Sequence, residues 1–236
     1  MQTNKKKLVI FMPSMEGGGV EKNIIIISNY LAKYIKNIEL ITFNQKFNNF
    51  FDKKIKIINY SKKKNDTKSK YYKYFFCLIL LIKSFFQNKE TYIFAFQANI
   101  YCIILCKILK VKIIVRSNSS PSGWYHNNIK KIIYKYLISK ADRVIVNSYE
   151  FKKQMQRKFD IKVSCILNPL NLNDIKKKSK LGRSEPFFKK KNCLKLINLG
   201  RFTEQKDQIT ILKACKILKK EFNFRLLILG KGREKF

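Results

Sequence analysis

Short apolar runs alternate with longer amphipathic stretches along almost the whole chain, and this alternation restricts the fold more than any other feature. The first run, Leu8 to Phe11, is followed by three glycines and then by apolar residues at helical spacing from Val20 onward. Strands separated by helices of ten or more residues form a parallel sheet covered on both faces. The sequence therefore predicts an α/β protein built of Rossmann-like domains.

The predicted elements divide the 236 residues into two unequal parts. Strands are predicted at residues 8–11, 38–43, 55–58, 91–96, 111–115, 143–146, 163–167, 194–199 and 224–229. Helices are predicted from residue 20 and at residues 71–86, 100–109, 129–139, 149–159 and about 205–220. Residues 1–170 hold a full series of strands and helices and are predicted to form an amino-terminal, acceptor-side Rossmann-like domain. The polar, lysine-rich segment 171–192 has little periodicity and is predicted to be a linker. Residues 193–236 supply one strand–helix–strand unit, and two parallel strands leave their faces uncovered. We therefore expect a second, donor-binding Rossmann-like domain that is incomplete and truncated.

The charge balance is strongly basic, with 51 lysines and arginines against 15 acidic residues and a net charge of +36. Such a charge suits binding to nucleic acid or to an anionic membrane surface. Because lysine dominates, and isoleucine, asparagine, phenylalanine and tyrosine are also abundant, A/T-rich codons explain much of it. We expect no specific nucleic acid partner. A non-catalytic basic protein that binds anionic membrane or nucleic acid is the alternative function.

Cysteine and histidine usage argues for a reducing compartment and against a metal centre. The six cysteines include no Cys-x-x-Cys pair and lie mostly in apolar stretches, as small buried side chains do. There is a single histidine, so we expect no metal. The longest unbroken apolar run, Tyr74 to Ile82, is too short to cross a bilayer. We expect a cytoplasmic protein, with peripheral association at the inner face of the membrane as a further expectation.

The turn after the first predicted strand carries Gly17, Gly18 and Gly19, with Glu21 just inside the next helix. Glycine lets a ligand approach the backbone, and a helix amino terminus favours an anion. Gly18 and Gly19 are therefore candidates for contact with a donor diphosphate, and Glu21 is a candidate on the acceptor side. The alternative is an ordinary flexible turn in which Glu21 complements the helix dipole.

A second polar segment, Arg116 to Pro121, directly follows a predicted strand. Ligands of α/β proteins bind at the carboxyl ends of strands, so Arg116, Asn118 and Ser119 are predicted to face the acceptor. Arg116 and the nearby His126 are the candidate catalytic residues. The alternatives are a hydrophilic loop and a surface histidine.

The third site lies near the carboxyl end of the chain, where Gly200-Arg201 follows an apolar run and Lys206 lies at the start of the helix predicted from about residue 205. Fixed cations at a strand end beside a helix amino terminus suit a diphosphate. Gly230-Lys231-Gly232 repeats the arrangement one strand later. The alternative is a solvated pair of cations, which the helix dipole would disfavour.

These segments resemble those of family 4 glycosyltransferases, which have the two-domain GT-B fold. The resemblance covers essentially the whole chain. It rests on the Gly-Gly-x-Glu turn at Glu21, the Arg-x-Asn loop at Arg116, the segment from Ala141 to Ser148, the Asn168-Pro169 exit, Gly-Arg-x-x-x-x-Lys from Gly200 to Lys206, and Gly230-Lys231-Gly232.

The resemblance implies a retaining hexosyl- or N-acetylhexosaminyl-transferase. It would move a sugar from a nucleotide-sugar donor to a surface-glycan or lipid-linked saccharide acceptor, without metal or other cofactor. Arg201, Lys206 and the glycine amides would stabilise the leaving diphosphate. The family's Glu-x7-Glu element, which contacts the donor sugar and ribose, would come after Gly232. Only four residues follow Gly232, so we expect this chain to be inactive alone.

One segment suggests how the protein would meet a membrane. Aromatic residues from Tyr71 to Phe76 adjoin lysines between Lys62 and Lys73, and this mixture suits an anionic interface. The alternative is a helix packed on its sheet, with Phe75, Leu78, Ile79 and Ile82 facing inward.

Overall fold

The structure is a computed structural model that describes residues 6–63, 67–120, 128–181, 186–189 and 192–232. The chain divides into two units, Met1–Asn171 and Leu172–Phe236. In the described ranges, no helix is both long enough and apolar enough to cross a bilayer.

The first unit is built on a seven-stranded parallel sheet with the strand order β3-β2-β1-β4-β5-β6-β7. The chain builds outward from β1 in one direction and then returns to continue from β4 in the other. Ligands of such sheets bind beside this switch point. The strands are β1 (Lys7–Phe11), β2 (Ile38–Thr42), β3 (Ile55–Asn59), β4 (Thr91–Ala95), β5 (Lys112–Ser117), β6 (Arg143–Val146) and β7 (Val163–Cys165).

Helices cover the two faces of this sheet unequally. One face packs against the first helix, through Ile24 among others, in a core that includes Ile10 and Leu40. The opposite face carries the other four α-helices of the described part of this unit, whose buried residues include Cys77, Cys106, Ile138 and Phe159. The helices are α1 (Gly19–Leu31), α2 (Lys70–Gln87), α3 (Asn99–Ile108), α4 (Asn128–Ser139) and α5 (Tyr149–Phe159). The predicted α/β class and Rossmann-like sheet are confirmed.

A buried polar network lies near the amino ends of β1 and β2. The Lys7 ammonium donates to the Ser84 carbonyl at 2.6 Å and lies 3.2 Å from the Glu39 carboxylate. The Ser84 hydroxyl donates to that carboxylate, and the exposed Lys56 ammonium reaches its other oxygen at 3.0 Å. Lys7, Glu39 and Ser84 are all buried, so the network satisfies charges that the core would otherwise exclude.

The second unit pairs β8 (Leu194–Leu199) with β9 (Phe224–Leu229) in a two-stranded parallel sheet. Between them lie a 3-10 turn, Glu204–Lys206, and helix α8 (Gln208–Leu218). Two helices precede the sheet, α6 (Leu172–Lys180) and α7 (Pro186–Lys189). Leu194, Leu199 and Leu229 are exposed, so apolar strand surface remains open, as expected for two strands.

Three details differ from the sequence predictions. The segment predicted to be a linker without periodicity contains α6, which an ion pair between Lys178 and Asp174 spans at 2.8 Å. The last helix begins at Gln208 rather than near residue 205, because Asp207 adopts a left-handed conformation (φ 44°) and caps it. The inward face suggested for α2 is wrong at Phe75, which is exposed, whereas Cys77 and Leu81 are buried.

Candidate functional site

The glycine turn after β1 is closed by the side chain of Glu21. One carboxylate oxygen of Glu21 accepts the Gly18 amide at 2.8 Å, and the other accepts the Glu16 amide at 3.0 Å. The carboxylate thus occupies an anion position at the start of α1, where the helix dipole favours it. Gly19 faces open space, since nothing lies within 4 Å of the position a Cβ would take. Of the turn's two candidate glycines, Gly19 is the one open to a ligand.

The switch point between β1 and β4 is bridged by one side chain. The Ser14 amide, just beyond β1, donates to the Gln97 side-chain oxygen at 2.8 Å. The Ser14 hydroxyl in turn donates to the Glu16 carboxylate at 3.0 Å. This chain of contacts fixes the turn against the end of β4, so the edge of the sheet is preorganised on this side.

Arg116 is buried at the carboxyl end of β5, although its loop is polar. Its Nη2 donates to the Ile166 carbonyl at 3.0 Å and to the Asn168 side-chain oxygen at 3.1 Å. In the described part of the chain, no carboxylate lies within ion-pair distance of it, and its Nε has no hydrogen-bond partner. Burial lowers the pKa of Arg116 from its ordinary value, but a guanidinium stays charged. Among the described residues, Arg116 is therefore a buried cation with no carboxylate beside it.

Three asparagines share this sheet edge with Arg116. The Asn99 amide group donates to the Arg116 carbonyl at 3.1 Å. Ser117 pairs with Val146 in the β5–β6 register, so the residues that follow, Asn118 and Asn147, are neighbours. The side-chain oxygens of all three asparagines are buried without a partner among the described residues. Such orphaned polar groups mark a place for water or for a polar ligand.

Ser119, the remaining predicted acceptor-side residue, lies on the loop beyond β5. Its carbonyl accepts the Ser117 hydroxyl at 3.1 Å, and the next hydroxyl, on Ser120, donates to Gln154 of α5 at 2.7 Å. The loop is therefore tied to α5 up to residue 120. His126 lies outside the described residues, so its candidacy as a catalytic residue stays a prediction.

In the second unit, Gly230 and Gly232 let two loops run side by side. The Gly200 amide donates to the Leu229 carbonyl at 3.0 Å, and the Phe202 amide donates to the Lys231 carbonyl at 3.1 Å. A Cβ on Gly230 would lie 1.8 Å from the Gly200 carbonyl oxygen, and one on Gly232 would lie 2.0 Å from that of Phe202. Both glycines are required by backbone contact, whether or not a ligand approaches them.

The loop after β8 brings Arg201 and Lys206 onto one exposed turn. The Lys206 stem packs over Gly200, within 3.6 Å of where a Cβ would stand. The side-chain nitrogen of Gln208, Nε2, donates to the Arg201 carbonyl at 3.0 Å and thereby fixes the backbone at Arg201. Gln208 is buried, and its Oε1 has no partner among the described residues. Two exposed cations thus precede the amino terminus of α8, where a diphosphate would be stabilised.

Sequence reasoning missed Asn99, Asn147, Gln97 and Gln208 as site residues. Asn147 directly follows a predicted strand, Gln97 follows another, and Asn99 comes two residues later, so their position at the binding edge was available as a signal. Gln208 gave no such signal, because its burial depends on the left-handed turn at Asp207.

No family model matches the chain. A curated protein of Methanocaldococcus jannaschii, described as an uncharacterized glycosyltransferase, is 34% identical over 148 residues, which are 56% of this chain and 36% of that protein. The chain thus spans little more than a third of the length of this curated relative.

Solved structures match nearly the whole chain. Anabaena HepE in complex with UDP and glucose has a TM-score of 0.65 at 14% identity, over 97% of this chain and 62% of that one. A Rickettsia africae glycosyltransferase has a TM-score of 0.63 at 18% identity, over 96% and 61%. Sucrose-phosphate synthase from Thermosynechococcus elongatus has a TM-score of 0.62 at 14% identity, over 95% and 62%. The fold is of the GT-B type. This chain spans a little over three fifths of these structures.

Proposed function

We propose that this protein is a glycosyltransferase that takes its sugar from a nucleotide diphosphate sugar. The observation that carries the proposal is the turn after β8, where exposed Arg201 and Lys206 precede the amino terminus of α8. The proposal is supported by the fold and by the M. jannaschii relative, which is described as a glycosyltransferase. UDP is the natural probe, because it is the nucleotide named with Anabaena HepE.

The second unit would bind the donor through its diphosphate. Charge accumulates on the diphosphate as the bond to the sugar breaks, so cations held in place beforehand stabilise the transition state more than the ground state. Arg201 offers a planar fork of donors, and Lys206 offers a compact charge. Gln208 and Gly200 would act as positioning residues, because they hold the Arg201 backbone and the Lys206 stem. Gly230, Gly232 and Lys231 would form the second wall of this turn.

The first unit would bind the acceptor at the edge formed by β5 and β6. Sugar hydroxyls both donate and accept hydrogen bonds, and they match the unpartnered amide oxygens of Asn99, Asn118 and Asn147. Arg116 would set the electrostatic potential of this edge from beneath. Glu21 would reach the acceptor only by giving up its two amide contacts, so we assign it to the turn itself. Of the two candidate glycines, Gly19 is the one that would contact the donor diphosphate, since the Glu21 carboxylate occupies the Gly18 amide.

The finer assignments follow from the resemblance to family 4 glycosyltransferases. They are retention of anomeric configuration, transfer of a hexosyl or N-acetylhexosaminyl group without metal, and a surface-glycan or lipid-linked saccharide as acceptor. We also propose that the 236-residue chain turns over only when further polypeptide covers the sheet of the second unit. The support is the exposed apolar surface of β8 and β9, which would leave the donor turn weakly held.

Titration calorimetry of the whole chain with UDP tests the proposal without requiring turnover. Arg201→Ala should raise the dissociation constant about thirtyfold, the value of one charge-assisted hydrogen bond of about 2 kcal/mol. Arg225→Ala is the matched control, because Arg225 is an exposed arginine of β9 in the same unit. Equal effects of the two substitutions would contradict a donor site at Arg201. Binding that vanishes with salt and does not distinguish UDP from other polyanions would favour the basic binding protein instead.

A further inference from the structure

Helix α4 presents an apolar stripe to solvent. Ile129, Ile132, Ile133 and Tyr136 follow the i, i+3, i+4, i+7 spacing of a single helix face, and each is between 51% and 70% exposed. Ile138, the buried residue of α4, lies on the opposite side and packs into the core beneath. The outward face of α4 is therefore as apolar as a face meant for burial.

The neighbouring helix α5 shows what an ordinary surface helix of this protein looks like. It buries Met155 and Phe159, while its outward positions are mainly charged or amide residues such as Lys153 and Gln156. Both helices lie on the same face of the sheet. The apolar outward face of α4 is thus a property of that helix and not of the whole side of the molecule.

Lysines flank the stripe, and helix α4 itself contains no acidic residue. By helical spacing, the exposed Lys130 and Lys135 lie to either side of the stripe, and the exposed Lys140 follows the helix. The next acidic residue along the chain, Asp142, pairs with Lys107 of α3 at 3.3 Å. The Lys140 ammonium stands 4.6 Å over the Tyr136 ring, so a charge sits at the border of the apolar stripe. Long lysine side chains bury their stems and keep the ammonium at a polar boundary.

The adjoining helix α3 extends this surface. It contacts α4, and its exposed apolar residues are Tyr101, Ile104 and Ile108. Its sequence also contains no acidic residue. The α3–α4 face, defined by the four stripe residues of α4 and these three, is therefore broad, apolar and edged by positive charge.

We propose that the α3–α4 face docks on an anionic lipid surface. Electrostatics favour this partner over a second copy of the chain. A second copy carries its own net charge of +36 and would be repelled by these lysines, whereas anionic headgroups attract them. The apolar stripe enters the boundary between headgroups and acyl chains, and the lysines stay among the phosphates. This surface differs from the aromatic and basic segment of α2 that the sequence suggested.

Vesicle co-sedimentation of the whole chain tests the proposal with phosphatidylglycerol-containing vesicles and with pure phosphatidylcholine vesicles. Ile132→Glu should reduce binding to the anionic vesicles at least tenfold. Ile217→Glu on α8 is the matched control, since Ile217 is 68% exposed against 67% for Ile132. It makes the same chemical change and the same change of net charge, and should leave binding within twofold.

A second variant addresses the charges and serves if Ile132→Glu fails to fold by circular dichroism. Replacing Lys135 and Lys140 together by glutamine should weaken binding roughly fivefold for each lysine, with no loss at high salt where binding is already weak. Equal binding to neutral and anionic vesicles would overturn the proposal. Equal loss for Ile132→Glu and Ile217→Glu would overturn it as well, because the α3–α4 face would then have no special part.

Discussion

The buried carboxylate of Glu39 couples the stability of the first unit to pH. Burial alone would raise the pKa of Glu39, but the hydrogen bonds from Ser84 and Lys56 and the charge of Lys7 outweigh burial and lower that pKa below its ordinary value. A carboxyl group whose pKa is lower in the folded state stabilises that state at neutral pH. This stabilisation is lost as the pH falls below about 4.3 and through the folded-state pKa.

Glu39→Gln should therefore lower the free energy of unfolding at pH 7 by about 3 kcal/mol, because it leaves the buried Lys7 ammonium without its counter-charge. The free energy of unfolding of the variant should also fall less steeply between pH 7 and pH 3 than that of the wild type. Thermal melts between pH 3 and pH 7, in steps of about one pH unit, measure both effects. Asp174→Asn is the control, since its ion pair with Lys178 is exposed and is worth little. If the stability of Glu39→Gln fell with acid as steeply as that of the wild type, Glu39 would not be the group that couples stability to pH.

Arg116 shows the limit of sequence reasoning at this scale. Its position at the end of β5 was predictable from the apolar run before it, and the loop that follows was recognised as a binding edge. Its inward orientation depends on the carbonyl of Ile166, which lies 50 residues away along the chain. Hydrogen bonds between residues so distant in sequence arise from the packing of strands, and a local sequence pattern does not predict them.

At the scale of elements, the two glycine loops run side by side and extend the backbone pairing of β8 and β9 past the carboxyl ends of these strands. Gly230→Ala should break it, because the added Cβ would overlap the Gly200 carbonyl oxygen. We expect a loss of about 3 kcal/mol and faster amide exchange of Gly200 and Phe202, measured by hydrogen–deuterium exchange. Gly19→Ala, at the open start of α1, should leave stability within about 1 kcal/mol. If the amides of Gly200 and Phe202 exchanged as slowly in Gly230→Ala as in the wild type, the close contact between the two loops would not depend on Gly230.

Strands were placed within one or two residues by short apolar runs, because a strand buried on both faces has to be apolar throughout. Helix positions follow from the sequence almost as well, but the orientation of α2 does not. Most residues of α2 are apolar, so periodicity cannot decide which side faces the sheet, and the alternative that places Phe75 inward is wrong. Helix α6 was missed because it has almost no apolar face to detect; its first and second turns are joined instead by Asp174 and Lys178.

At the scale of the whole molecule, a net charge of +36 on 236 residues should make folding depend on ionic strength. Like charges repel more strongly in the compact state, and salt screens them over about 10 Å at 0.1 M. The melting temperature should therefore rise as sodium chloride increases from low concentration. The Glu39 network should respond little, since buried pairs are screened weakly. A melting temperature that falls steadily with salt would show that exposed ion pairs outweigh the repulsion.

The alternation of strands and helices was enough to predict the α/β class, because few other folds accommodate parallel strands joined by helices. The turn that we propose binds the donor is predictable for the same reason: it comes at a strand end, with glycine and cations adjacent in sequence. The edge that we propose binds the acceptor is only half predictable. It gathers residues from β4, β5 and β6, and the strand order that makes these neighbours is a property of the complete sheet.

The buried cysteines allow the rate at which the first unit opens to be measured chemically. Cys77, Cys102 and Cys106 lie in the core of the first unit, and burial raises the pKa of Cys77 to about 12. An alkylating reagent attacks the thiolate, so these three would be modified only while that unit is transiently open. Cys193 and Cys215 sit half-buried in the second unit. Pulse alkylation read by mass spectrometry would then yield the opening rate of the first unit, from the natural sequence, with Cys193 and Cys215 as reference thiols that react without full opening.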